Sequence, residues 1–181
     1  SDALALAGTK GFDARSFRMH VAVTDWLAGE RSRALENARI ASREAMESLA
    51  KPSDPDTEED AGLAVAGAWL ALRLGDTTLS GTVLESVGRN RALLKLPSVS
   101  ELVTVLKAER ERATGQPDVA VGLLKPLLTG NERYQTRVAL FNAYSDLKRT
   151  DDAKEQAAWL RANRGLAYME KTCGQCIEVL N

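Results

Sequence analysis

The stretch Ala22-Val-Thr-Asp-Trp-Leu-Ala-Gly29-Glu-Arg-Ser-Arg-Ala34 carries the spacing that decides the fold of this 181-residue chain. A small residue is followed seven positions later by glycine, and five positions after that by a small residue that opens another apolar run. The spacing returns at Ala68…Gly75…Ser80 and Ala108…Gly115…Ala120, and in weaker form at Phe141…Lys148…Ala153. Small residues let two helices approach closely, and glycine readily takes the positive φ of a tight turn. The spacing therefore predicts a series of helical hairpins.

The composition also favours helices. Ala and Leu supply most of the apolar residues, whereas Ile occurs only at Ile40 and Ile177. Ala and Leu are strong helix formers, and β-branched residues prefer strands. We predict an all-α fold of stacked antiparallel hairpins in a single domain over residues 1–181. Its four hairpins are expected at about 13–50, 57–90, 98–130 and 131–165, followed by a C-terminal tail at 166–181.

Charge and hydropathy exclude two classes of partner. The formal net charge of −1 gives no long-range positive field, so nucleic acid is not an expected partner. The most apolar run, residues 61–74, is shorter than the roughly 20 residues of a membrane-spanning helix, so we expect no direct membrane insertion. The chain does not start with Met, and residues 1–8 lack a signal-peptide pattern, so a mature product or a piece of a longer polypeptide is expected. The compartment is not indicated.

Local signals place several helix ends. Ser98-Val-Ser-Glu101 reads as a capping box directly after Pro97 and predicts a helix start there. Pro126 interrupts an apolar helical pattern and predicts a kink or a new segment. The arginines between Arg15 and Arg43 are predicted to form a solvated surface that the carboxylates of residues 54–60 neutralise.

The last hairpin resembles the tetratricopeptide repeat family, whose unit of about 34 residues is a helix-turn-helix. The best match covers residues 134–167, where packing positions of the family pattern are taken by Phe141, Tyr144, Ala153, Ala157 and Leu160. Lys148 stands where the family has a turn glycine, and no proline closes the unit. The intervals between the earlier turn glycines exceed the family period, so longer helices or loops are expected in the first two hairpins.

This resemblance implies a concave groove lined by the first helix of each hairpin, which holds an extended peptide or a partner helix. Carried over to this chain, the groove-facing positions are Met19, Val23, Trp26, Val65, Trp69, Arg73, Val105, Glu109, Arg112, Val138, Asn142 and Asp146. The aromatic residues would act as anchors, and Arg and Asn as fixed hydrogen-bonding groups. A second interpretation stays open, in which Trp26 and Trp69 fill the core.

One short motif, Cys-x-x-Cys near the C-terminus, has known chemical uses. Cys173-Gly-Gln-Cys176 can serve as a redox dithiol, half of a zinc site or a small disulfide. No strand precedes it and two further metal ligands are missing, so a local disulfide or two inert thiols is the preferred interpretation. His20 stands alone without an orienting partner. We therefore expect no catalytic residues, no metal and no cofactor.

The sequence favours a non-catalytic protein-binding or peptide-binding scaffold, the sensory or interaction part of a larger bacterial regulatory protein. One alternative is a self-association module, in which the tail at Ile177–Leu180 pairs two copies into a homodimer. Another alternative is a thiol redox protein that uses Cys173 and Cys176.

Overall fold

The computed structural model describes residues 12–51 and 57–170. This part of the chain is all-α, as predicted, with nine α-helices, two 3₁₀ helices and no strand. The α-helices are α1 (Phe12–Leu27), α2 (Arg31–Leu49), α3 (Thr57–Arg73), α4 (Thr78–Ser86), α5 (Pro97–Ala113), α6 (Pro117–Leu124), α7 (Tyr134–Asp146), α8 (Thr150–Ala162) and α9 (Arg164–Met169). The 3₁₀ helices are Leu93–Lys95 and Lys125–Leu127. The tetratricopeptide arrangement of these helices stays a prediction.

The chain divides into two compact units, residues 1–100 and residues 101–181. The boundary between Ser100 and Glu101 falls near the start of α5, so most of that helix belongs to unit 2. Each unit has its own packed core. Whether the whole chain forms one continuous repeat domain stays a prediction.

The turns between helices follow the predicted spacing. Gly29, Gly75 and Gly115 have φ values of +83°, +96° and +84°, each in the left-handed region that glycine enters without a steric penalty. At the fourth turn Lys148 takes φ +57°, although it carries a Cβ. A residue with a side chain pays roughly 1 kcal/mol or more for this conformation. The last hairpin therefore has the same turn, but its conformational free energy is higher.

The core of unit 1 rests on a close approach of α2 and α3. The α2 face is made of small buried residues, namely Ala34, Ala38, Ala41, Ser42 and Ala45. On α3, a Cβ at Gly67 would lie 2.7 Å from the Ala38 carbonyl oxygen and 2.9 Å from the Ser42 Cβ. The Ser42 hydroxyl donates to the Ala64 carbonyl at 2.9 Å. Every residue of α3 from Asp60 to Leu72 is buried.

One ion pair, Arg15 with Asp60, lies inside unit 1. The prediction that these two residues belong to a solvated surface is therefore wrong. Arg15 on α1 donates Nε to Asp60 Oδ1 at 2.8 Å and a terminal nitrogen to Asp60 Oδ2 at 2.6 Å. The Asp60 side chain is fully buried and that of Arg15 is 10% exposed. The bidentate geometry explains why these charges tolerate the interior, because each offsets the other's loss of water.

The core of unit 2 is an apolar cluster drawn from four helices. Its buried members are Val105 and Ala108 on α5, Ala120, Val121 and Leu124 on α6, Ala139, Leu140, Ala143 and Tyr144 on α7, and Ala153 on α8. The buried Tyr134 hydroxyl donates to the Leu160 carbonyl at 3.2 Å and ties α7 to α8. As predicted at Pro126, the α6 segment ends there in a 3₁₀ turn.

The predicted capping box at the start of α5 is wrong. Pro97 is already helical, and the helix ladder starts at the Leu96 carbonyl, which accepts from the Ser100 N–H at 3.0 Å. Proline needs no N–H partner in the first turn, so the helix can begin before the serine. The Ser98 hydroxyl instead donates to Glu58. Glu101 accepts from the Arg133 N–H at 2.8 Å.

Residues beyond 165 were expected in a tail, but part of them continues as α9. Ala167 is buried, and the Glu170 carboxylate accepts from the backbone N–H groups of Tyr134 and Gln135 at the start of α7. Side-chain acceptors at such positions satisfy the N–H groups of a first helical turn. Burial raises the pKa of Glu170 above its ordinary value, although these N–H bonds act in the opposite direction.

Candidate functional site

Two helices of unit 2 bring together four of the predicted groove residues. Glu109 and Arg112 lie three positions apart on α5, and Asn142 and Asp146 lie four positions apart on α7. Positions with these intervals share one face of a helix. We name these four residues the α5–α7 polar face.

Arg112 links the two helices. Its Nε and one terminal nitrogen donate to Glu109 Oε2 at 3.2 Å and 3.0 Å, and its other terminal nitrogen donates to Asp146 Oδ2 at 2.8 Å. Burial alone would lower the pKa of Arg112, but the two carboxylates outweigh it and raise that pKa. The guanidinium is therefore a fixed positive charge between two negative ones.

Glu109 is the buried member of this network. It is 1% exposed, and while its Oε2 accepts from Arg112, its buried Oε1 has no hydrogen-bond partner among the described residues. A buried acceptor without a partner costs about 1–3 kcal/mol, more for a charged group. The buried Glu109 carboxylate is therefore energetically unfavourable, and an apolar side chain at this position would avoid that cost.

The exposed part of the face combines donors and acceptors. Asn142 is half-buried, and within the described part of the chain its amide has no hydrogen-bond partner. The Asp146 side chain is 45% exposed and lies at the C-terminal end of α7, where the helix dipole disfavours a carboxylate. Arg112 offsets that charge. The face thus holds one positive and two negative groups beside an unpaired amide.

The predicted groove residues of unit 1 lie mostly in its core. Met19 is 5% exposed, Val65 is 3% and Trp69 is 1%. The burial of Trp69 agrees with the interpretation in which this indole fills the core rather than anchors a partner. In unit 2, Val105 and Val138 are also buried, and Val105 belongs to the apolar cluster. A binding role for these side chains stays untested.

Two predicted groove residues of unit 1 do meet at the surface. The Arg73 guanidinium lies over the Trp26 ring, 5.0 Å from its centroid. Val23, one turn before Trp26 on α1, is half-buried. Cation–π contacts at such partly exposed sites contribute about 0.5–1 kcal/mol. Arg73 and Trp26 therefore form a cation–π contact with each other.

The remaining predicted groups give no further site. His20 is exposed, and its Nδ1 lies 2.8 Å from the Ser16 carbonyl oxygen one turn earlier. Cys173, Cys176 and the tail at Ile177–Leu180 lie outside the described residues. Within residues 12–51 and 57–170, no three His, Cys, Asp or Glu side chains are grouped so that they could hold a metal ion. No helix in these ranges has the length and apolar character needed to cross a bilayer.

A second charged cluster in unit 2 has no local signature in the sequence. Arg137 donates to Glu132 Oε1 at 2.8 Å and 2.5 Å, and its guanidinium lies 4.8 Å from the Trp159 ring centroid. Glu132 also accepts from the Gly130 N–H at 2.7 Å. Burial acts to raise the pKa of Glu132, but these hydrogen bonds hold it below its ordinary value. Folding alone brings these groups together.

No protein-family model matches this chain, and no curated protein and no solved structure is similar to it. The resemblance to tetratricopeptide repeats therefore stays a prediction.

Proposed function

We propose that this chain is a non-catalytic binding module that recognises a peptide or a protein segment through the α5–α7 polar face. The observation that carries the proposal is the Asn142 amide, which has no hydrogen-bond partner among the residues that the structure describes and lies beside the Glu109–Arg112–Asp146 network. The network holds its charged groups in place before any partner arrives. Binding to such a surface costs little ordering entropy.

The chemistry of the face matches a peptide backbone. Asn142 offers an N–H donor and a carbonyl acceptor in one planar group, which is the same pair that each peptide unit presents. Arg112 has five N–H donors, of which the carboxylates of Glu109 and Asp146 take three. Its remaining donors suit backbone carbonyl groups. Hydrogen bonds of this kind fix an extended segment without dependence on its side chains.

The charge of the face adds a preference among peptides. The two carboxylates and one guanidinium leave a net charge of −1, and Asp146 is half-exposed. A segment with a Lys or Arg side chain near its bound backbone would neutralise this charge. We expect basic peptides to bind more tightly than acidic peptides of the same length.

A displayed library of random 12-residue peptides tests the proposal. The wild-type chain should enrich peptides that the Asn142→Ala and Arg112→Gln variants do not retain. The matched control is Arg110→Gln, because Arg110 is an exposed arginine on the same helix and lies outside the network. This control should retain the wild-type peptides. Circular dichroism checks that each variant keeps its helix content.

Two outcomes would contradict the proposal. If Asn142→Ala and Arg112→Gln retain the same peptides as the wild type, the α5–α7 polar face is not the binding surface. If the wild type enriches none, and sedimentation gives the mass of a stable dimer, self-association becomes the better account.

A further inference from the structure

A cleft of about 330 Å³ opens between α2 and α4 in unit 1, away from every residue predicted to line a groove. Met46 on α2 and Leu79 on α4 supply its apolar lining, and Arg39, Arg43 and Asp76 supply its charges. This volume lies at the lower end of the range for small-ligand sites. The lining combines a surface for an aliphatic group with a surface for an ion.

One arginine of the cleft is already neutralised. Arg39 Nε donates to Asp76 Oδ2 at 2.8 Å, and the Thr78 N–H donates to Asp76 Oδ1 at 2.9 Å. Burial acts to raise the pKa of Asp76, but these hydrogen bonds hold it below its ordinary value. Asp76 is therefore ionised at neutral pH, and its charge cancels that of Arg39.

The other arginine, Arg43, has no counterion within residues 12–51 and 57–170. Arg43 is exposed one turn along α2 from Arg39, and the described residues offer it neither an ion pair nor a side-chain hydrogen bond. The lining therefore has a net charge of +1, located at Arg43. A guanidinium binds a carboxylate through two parallel N–H donors.

We propose that the α2–α4 cleft binds a carboxylate carried on an aliphatic chain. Arg43 would pair with the carboxylate, while Met46 and Leu79 contact the carbon chain. Methionine adapts its shape to such groups readily. A dianion such as phosphate fits less well, because Asp76 forms part of the lining and would repel the second negative charge. This proposal is independent of the α5–α7 polar face.

The same chemistry has two sources, a small fatty acid or an acidic residue between aliphatic ones in a protein segment. Nuclear magnetic resonance of the full, ¹⁵N-labelled chain distinguishes them, with hexanoate and acetyl-Leu-Glu-Leu-amide as the two probes. Acetyl-Leu-Gln-Leu-amide is the uncharged counterpart. At least one carboxylate probe should shift the amide resonances of α2 and α4, and the uncharged peptide should shift them much less.

The variant Arg43→Gln should weaken binding of the active probe by about fivefold, the usual effect of one partly exposed ion pair. Arg31→Gln is the matched control, since Arg31 is an exposed arginine at the start of the same helix and does not line the cleft. It should leave the affinity unchanged. Both positions are exposed, so both variants should keep the wild-type circular dichroism spectrum.

Each outcome decides the matter. Shifts with hexanoate support a small carboxylate as the ligand, and shifts with the acidic peptide alone support a protein segment. The proposal is overturned if neither probe shifts α2 and α4 at about 10 mM, a concentration that detects even very weak binding. It is also overturned if the uncharged peptide binds equally well, or if Arg43→Gln binds like the wild type.

Discussion

Helix α3 of unit 1 and helix α5 of unit 2 differ in how much of each helix is buried and in where its charged groups lie. The first helix of the second hairpin, α3, is buried from Asp60 to Leu72 and packs through glycine and alanine. The corresponding helix of the third hairpin, α5, carries the buried Glu109 and the partly exposed Arg112. A helix that is apolar all round is a core element, whereas a polar network at a surface provides recognition. This difference fits our proposal that the α5–α7 polar face of unit 2 binds a partner, with α3 of unit 1 as a core element.

The largest expected effect on stability concerns the buried ion pair of Arg15 and Asp60 in unit 1. Replacing Arg15 by Met removes the bidentate cation from the fully buried Asp60, so unit 1 should lose about 3–5 kcal/mol of unfolding free energy. Chemical denaturation followed by tryptophan fluorescence measures the loss. The double variant Arg15→Met/Asp60→Leu should recover much of it, since neither charge of this buried pair then remains. Equal losses in the single and double variants would contradict this role.

The next effect tests the small-residue packing of unit 1. Gly67→Val should destabilise the chain by about 2–3 kcal/mol, because even its Cβ would lie 2.7 Å from a backbone oxygen of α2. Gly122→Ala in α6 of unit 2 is the matched control, since nothing lies within 4 Å of the added Cβ. That variant should gain roughly 0.5–1 kcal/mol from helix propensity. If both substitutions stabilise, α2 and α3 do not pack as closely as described.

These first two effects mark what the sequence could and could not predict. The helices and the turns at Gly29, Gly75 and Gly115 have local causes, so the spacing of small residues found them. The ion pair of Arg15 with Asp60 joins residues 45 positions apart, and no local pattern indicates it. The capping box at Ser98 was wrong because Pro97 starts the helix, and Glu101 instead accepts hydrogen bonds from Arg133 and Thr136 at the start of α7.

The candidate site, too, was predicted from the sequence only in part. The resemblance to tetratricopeptide repeats named Glu109, Arg112, Asn142 and Asp146 as groove residues. The structure shows that Arg112 bonds to Glu109 and Asp146, and the binding role of these residues stays a prediction. The sequence could not show that Glu109 would be buried, because burial depends on how α5 packs in unit 2. Nor could it separate Trp69, which lies in a core, from Trp26, which meets Arg73 at the surface.

A smaller effect compares two turns of unit 2, at Gly115 and Lys148. Lys148→Gly should stabilise unit 2 by about 1 kcal/mol, because glycine takes φ +57° without the steric cost of a Cβ. Gly115→Lys, at the equivalent turn one hairpin earlier, should cost about the same amount. Thermal denaturation of the pair gives both values. A loss of stability in Lys148→Gly would show that the lysine side chain contributes something other than turn geometry.

The smallest effect is a dependence on pH in unit 2. The pKa of Glu132 is lowered on folding, so its contribution to stability is present above the ordinary glutamate pKa and is lost as the pH falls from there through the lowered pKa of the folded state. Glu132→Gln should therefore flatten the acid limb of the stability curve. Glu155→Gln, an exposed residue of α8, should leave that limb unchanged. Identical acid limbs in wild type and Glu132→Gln would exclude this contribution.

The most direct test of the comparison is the affinity of one peptide, selected by the wild-type chain, for variants in each unit. Isothermal titration calorimetry should show that Asn142→Ala raises Kd by about tenfold, since it removes hydrogen bonds to the partner. Val23→Ala, at a predicted groove position of unit 1, should change Kd by less than about twofold. A large loss in Val23→Ala with none in Asn142→Ala would place binding in unit 1 and contradict the account.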